Sequence, residues 1–272
     1  VMKTEGSVPF TLKFINKPSN GNLPDAFNLA CFFDILNERI NGSGDNMTNW
    51  NETGWRYLKE KQFEKAAEAF NQAIEANPKD PIGYTNFGNL LLRLHDPEKA
   101  VPFFERAIAL DGACGAAHYG LGNAYYELKR FEEAIPSYQL AEKNGVSDGD
   151  LHYMLGMAYF HLEQKRMALV HLQRAVELNQ ADLEARFQYA LCLGALGEVD
   201  LAIEQFKCVL DQDDRHADSY YNLGVAYAYK EAYAKARHCF EKALAIQPDH
   251  LLAANGLKQV DRLENGSHEK MP

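Results

Sequence analysis

The chain has 272 residues, 46% of them hydrophobic and 24% charged, with a formal net charge of −10. This balance suits a soluble chain of one or two domains and argues against generic binding to nucleic acid or to acidic membrane surfaces. No apolar run of roughly 18 residues is present to span a bilayer, and no basic head followed by an apolar core marks a signal peptide.

Five cysteines, Cys31, Cys114, Cys192, Cys208 and Cys239, are scattered and form no CxxC pair. An odd, dispersed set fits reduced thiols, so a cytoplasmic protein is expected.

Residues 1–46 form an N-terminal extension with its own character. Phe10 to Ile15 alternates weakly, as a short strand would, and Pro18 to Pro24 is rich in turn residues. Asp25 then caps an expected amphipathic helix over 25–40. Phe27, Cys31 and Ile35, with Leu29, Phe32, Phe33 and Leu36 alongside, make it strongly apolar. Such a helix must bury its face. It either caps the adjoining part of the fold or docks in a groove, in its own chain or in a neighbouring copy.

From Met47 to His250 one 34-residue pattern recurs six times without insertion or deletion: 47–80, 81–114, 115–148, 149–182, 183–216 and 217–250. Self-similarity at a fixed period of this size signals stacked supersecondary units. Each copy accommodates two helices, A and B, too short to bury their apolar faces alone. Helix A carries Gly54, Gly88, Gly122, Gly156, Ala190 and Gly224 in one column. A mid-helix glycine costs about 1 kcal/mol against alanine, so the column implies close approach. Helix B carries Ala66, Ala100, Ala134, Ala168, Ala202 and Ala236, and the large side chains Phe70, Phe104, Tyr138, Leu172, Phe206 and Phe240. These columns read as core. Asp80, Asp148 and Asp182 precede the next helix A and are placed to cap it. Residues 251–264, with Leu251, Leu252, Leu257, Val260 and Leu263, form a capping helix, and 265–272 a tail.

In copy one, Trp50, Gly54, Tyr57, Ala66, Phe70, Ala73 and Pro78 follow an aromatic, Gly, Tyr, Ala, Ala, Pro signature that resembles the tetratricopeptide repeat. Leu121-Gly122 with Tyr125 and Leu223-Gly224 with Tyr227 repeat it. The resemblance covers 204 of the 272 residues. It implies an all-α fold, an α-α superhelix (solenoid) of six helix hairpins plus the C-terminal capping helix. It also implies an inner surface formed mainly by helices A that binds a peptide or partner protein.

Carried over residue by residue, the family's inner-face positions fall on Asn51, Trp55, Leu58 and Lys59, then Thr85, Asn89, Leu92 and Arg93. They continue through Tyr119, Asn123, Tyr126 and Glu127, then Tyr153, Met157, Phe160 and His161. Phe187, Leu191 and Ala195, then Tyr221, Val225 and Tyr229, complete the set. The expected partner-binding residues are Asn51, Trp55, Asn89, Arg93, Tyr119, Asn123, Tyr126, Tyr153, Met157, Phe160, Phe187, Leu191, Tyr221, Val225 and Tyr229. Tyrosines offer contact area with a polar tip, and asparagines both donate and accept. Part of the aromatic column has the alternative of packing between helices. The basic set that some family members use to clamp a carboxylate is missing, since only Lys59 and Arg93 remain.

No HExxH, phosphate loop or serine elbow occurs. His118 and His152 read as packing residues, and no convergent zinc set is visible. The sequence therefore predicts a non-catalytic interaction scaffold without cofactor or metal, binding a protein or peptide segment and neither nucleic acid nor membrane. The alternative is a structural protein that self-associates through 25–40.

Overall fold

A computed structural model describes residues 49–268, with side chains placed through Glu264. The strand and helix expected within 1–46 lie outside the described residues, and so does the docking or self-association assigned to that helix.

Thirteen helices make up the described chain, which divides into two compact units between Gln164 and Lys165. The first unit holds α1 (Trp50–Lys59), α2 (Phe63–Ala76), α3 (Pro81–Arg93), α4 (Pro97–Leu110), α5 (Gly115–Glu127), α6 (Phe131–Lys143) and α7 (Gly149–His161). The second holds α8 (Lys165–Leu178), α9 (Leu183–Ala195), α10 (Val199–Gln212), α11 (Ala217–Tyr229), α12 (Tyr233–Ile246) and α13 (Leu251–His268). The odd-numbered helices from α1 to α11 are the A helices of the six copies, and the even-numbered ones are the B helices. The C-terminal helix runs to His268, beyond the last apolar position of its stripe.

Each A-to-B turn is closed the same way. In α3–α4, the His95 N–H donates to the Leu92 carbonyl and the Asp96 N–H to that of Leu91. This double bond pattern satisfies carbonyls left open at a helix end. It requires a left-handed residue, supplied by Lys61, His95, Lys129, Glu163, Gly197 and Glu231, one per period. Only Gly197 avoids the cost of about 1–2 kcal/mol that a side chain brings to this conformation.

The B-helix column lies in the interior of each unit. Phe70, Phe104, Tyr138, Leu172, Phe206 and Phe240 are all fully buried. Glycines on helix A let the rings come close to the backbone. A Cβ on Gly122 would stand 2.6 Å from two ring atoms of Tyr138, and one on Gly88 would stand 2.8 Å from two of Phe104. A second set of contacts reaches across the repeat boundary, where Gly120 of α5 also meets Phe104 and Gly256 of α13 meets Phe240. Phe104 is thus held between glycines of two successive A helices. The half-buried A-helix aromatics sit under cations: Arg130 lies 4.5 Å from the Tyr125 ring centre, and Lys235 5.5 Å from that of Tyr227.

Helix starts are capped as expected at three boundaries. Asp80 accepts from the Ile82 N–H at 3.0 Å, Asp148 from Leu151 at 2.8 Å and Asp182 from Ala185 at 3.0 Å. Histidine takes the same place at the last two. His216 Nδ1 accepts from the Ser219 N–H at 3.1 Å, and His250 Nδ1 from Ala253 at 3.2 Å. The bond to Nδ1 fixes the proton on Nε2, which in His250 donates to the Asp218 carboxylate at 3.1 Å. The sequence did not mark these two histidines as caps.

Within each unit, the A helices of successive repeats touch: α1 with α3, α3 with α5, α5 with α7, and α9 with α11. Successive B helices approach far less closely. A stack tighter on one side curves around that side, so the A helices line the inner face of each unit.

Candidate functional site

The inner aromatic column starts from helix A, but its rings turn into the hairpin. Trp55 meets Phe70 at 5.9 Å edge-on, and Tyr119 meets Tyr138 at 5.8 Å. Phe187 meets Phe206, and Tyr221 meets Phe240, each at 5.9 Å. Tilted and edge-on pairs at these distances are the favourable aromatic arrangements. Trp55, Tyr119, Phe187 and Tyr221 are accordingly only 5–8% exposed, and Tyr153 is equally buried at 8%. Asn89, Met157, Leu191 and Val225 are buried as well, and Asn123 is fully so.

The accessible members of the expected set are fewer. In the first unit Asn51, Tyr126 and Phe160 are half-buried and Arg93 is exposed; in the second unit Tyr229 is exposed. Asn51 is fixed by accepting from Asn86 Nδ2 at 2.9 Å, a link from α1 to α3. Tyr126 and Phe160 are one period apart near the ends of α5 and α7, where the chain leaves helix A. At that end the neighbouring B helix no longer covers them fully.

Around Tyr126 the aromatic groups form a cluster. The Tyr126 hydroxyl and His161 Nε2 share a hydrogen bond of 3.1 Å. The His161 ring stacks on Phe131 at 4.5 Å, and Tyr126 stands edge-on to Phe131 at 5.3 Å. Burial, with Lys129 nearby, holds the His161 imidazole below its usual range, and burial pushes the Tyr126 phenol up. Both groups therefore stay neutral at pH 7, as a hydrogen-bonding surface rather than a charged one.

One helical turn earlier, the Tyr138 hydroxyl donates to Asn123 Oδ1 at 2.8 Å. The other end of the amide, Nδ2, is buried without a hydrogen-bond partner, and so is Oε1 of Glu127. Burial raises the Glu127 carboxyl to about 7. This sets a pH dependence. The unfolded chain releases the Glu127 proton near pH 4.5, whereas the folded chain holds it until about 7. Folding takes up a proton between these values, so the contribution of this residue to stability falls as pH rises through that window. The residue is only partly buried, and screening reduces the effect to about 1 kcal/mol. Glu127→Gln is expected to raise the urea midpoint at pH 8 and leave it unchanged at pH 4. Equal shifts at both pH values would contradict the assignment.

The other groups with chemical potential are accounted for by structure. His118 Nε2 lies 3.0 Å from the Gly112 carbonyl, and His152 lies 3.8 Å from Glu142. Burial pushes the Cys192 and Cys239 thiols up to about 11, so both remain protonated. Among the described residues, no group of three or more His, Cys, Asp or Glu is placed to hold a metal ion. No helix among them is long and apolar enough to cross a membrane.

Comparison with known proteins agrees with this architecture. Models described as tetratricopeptide repeat match residues 48–80, 85–150, 149–182 and 217–250. The crystal structure of YrrB, described as a TPR protein with an unusual peptide-binding site, superposes with a TM-score of 0.67. It is 48% identical, and the match covers 71% of this chain and 99% of that one. The chain belongs to the tetratricopeptide repeat family. By sequence, 39 residues are 51% identical to YrrB of Bacillus subtilis (strain 168), spanning 14% of this chain and 19% of that protein. MamA gives a TM-score of 0.57 at 25% identity, over 59% of this chain and 94% of its own. PilF of Pseudomonas aeruginosa shares the fold alone, with a TM-score of 0.67 at 17% identity. The tetratricopeptide family is a protein-interaction scaffold, and the helix hairpins described above are its repeat units.

Proposed function

We propose that the chain is a non-catalytic scaffold that binds a peptide or helical segment of a partner protein along the inner face of its A helices. The observation that carries this reading is the partly open row on the tighter side of the first unit: Asn51 on α1, Arg93 on α3, Tyr126 on α5 and Phe160 on α7. Half-buried aromatics held rigidly by their neighbours offer contact area at low entropic cost. Asn51 and Arg93 supply polar contacts beside them, and Tyr229 offers a further aromatic on the second unit. The buried members of the inner column support the face by fixing the rings and backbone behind it. The likeness to YrrB, whose structure is described as having a peptide-binding site, favours the same use here. The reading places the protein in the cytoplasm, without a cofactor.

The test uses peptides selected from a random display library on the immobilised full chain. Replacing Tyr126 and Phe160 together by alanine is expected to weaken the selected peptides by about tenfold or more. Leu140→Ser, on the exposed side of α6, is expected to leave affinity unchanged, with circular dichroism the same for all variants. Affinity retained by the double variant and lost by Leu140→Ser would overturn the reading.

A further inference from the structure

The inner face of α5 carries two polar atoms that the chain itself leaves unanswered. Asn123 Nδ2 is a donor and Glu127 Oε1 an acceptor, and each is buried without a hydrogen-bond partner. They are four residues apart, so they lie on one helix face. Leaving such atoms unpaired costs about 1–3 kcal/mol each, more for a charged group. The surroundings are otherwise satisfied. Tyr138 donates to the far end of the Asn123 amide, and Tyr126 is bonded to His161. Burial alone perturbs the Glu127 carboxyl, with no cation of the chain compensating it.

We propose that Glu127 determines specificity on this face by taking the basic side chain, arginine or lysine, of a bound segment. The proposal rests on the inner-face reading above. A carboxylate oxygen withdrawn from water gains most from a donor that carries charge, because charge-assisted bonds are about twice as strong as neutral ones. The carboxyl is only half-buried and ends α5, so rotation of its side chain brings it to an arriving cation. Tyr126, the adjacent residue, presents an aromatic ring of the kind on which guanidinium groups stack. A basic residue of the partner thus answers the unpaired carboxylate oxygen, whereas an acidic side chain meets Glu127 with like charge.

The test compares random-display selections on the full wild-type chain and on Glu127→Gln, which keeps the size of the side chain. Wild type is expected to enrich arginine or lysine at one position, and exchange of that arginine for citrulline in a synthetic peptide to weaken binding by about tenfold. On Glu127→Gln the same exchange is expected to change affinity less than about twofold. Enrichment without a basic position, or a citrulline effect of equal size on both proteins, would overturn the role of Glu127 while leaving the inner-face reading intact. Selection of no peptide on wild type overturns both.

Discussion

Gly120→Ala is expected to destabilise the chain by about 2 kcal/mol, although alanine is the better helix former by about 1 kcal/mol. The new Cβ would lie 2.5 Å from Cζ of Phe104, a ring that is fully buried and already rests on Gly88. The ring has nowhere to retreat. Well-packed interiors answer added volume with strain rather than adjustment. The prediction becomes sharper in a double-mutant cycle. Phe104→Ala alone is expected to cost about 3–5 kcal/mol. In that background Gly120→Ala no longer meets the ring, and only the gain in helix propensity remains, so the same substitution becomes stabilising by up to about 1 kcal/mol. Urea denaturation of the four proteins measures the cycle. Simple additivity would show that Gly120 is not there to admit Phe104.

Tyr138→Ala is expected to be the most damaging single change on the B helices of the first unit, at about 4–5 kcal/mol. It removes a fully buried ring that lies on Gly122, contacts Tyr119 and bonds Asn123. Tyr138→Phe separates these contributions. It keeps the ring and removes only the hydroxyl, leaving Asn123 Oδ1 unpaired beside an Nδ2 that already lacks a partner. That is expected to cost about 1–2 kcal/mol. If Phe is tolerated as fully as Tyr, as judged by urea midpoint, the bond to Asn123 does not hold the inner face in place.

The repeat frame made much of this legible. Glycine on helix A opposite a large residue sixteen positions later on helix B predicts an intimate crossing, and the Gly54–Phe70 and Gly224–Phe240 contacts are that crossing. Aspartate before a helix predicts a cap, and Asp80, Asp148 and Asp182 provide it. Other features depend on where side chains point. Gly120 and Gly256 lie outside the glycine column of the frame, and only the stacking of neighbouring repeats brings them onto Phe104 and Phe240. His216 and His250 replace a capping carboxylate with a ring nitrogen, a substitution that helix-capping preferences do not suggest. The aromatic column of Trp55, Tyr119, Phe187 and Tyr221 has inner-face spacing, yet each ring gains more by meeting the B-helix ring of its own hairpin. Spacing assigns a side chain to a helix face, and rotamer and neighbours decide whether that side chain is shown to a partner. The unpaired state of Asn123 and Glu127 could be seen only once every other hydrogen bond around them was placed.

A crystal structure of the full chain with a selected peptide tests the central claim most directly. The account predicts continuous peptide density along the inner face of the first unit, in contact with Tyr126 and Phe160 and within reach of Arg93. Peptide bound across the outer sides of α2, α4 and α6, with Tyr126 and Phe160 uncovered, would contradict it.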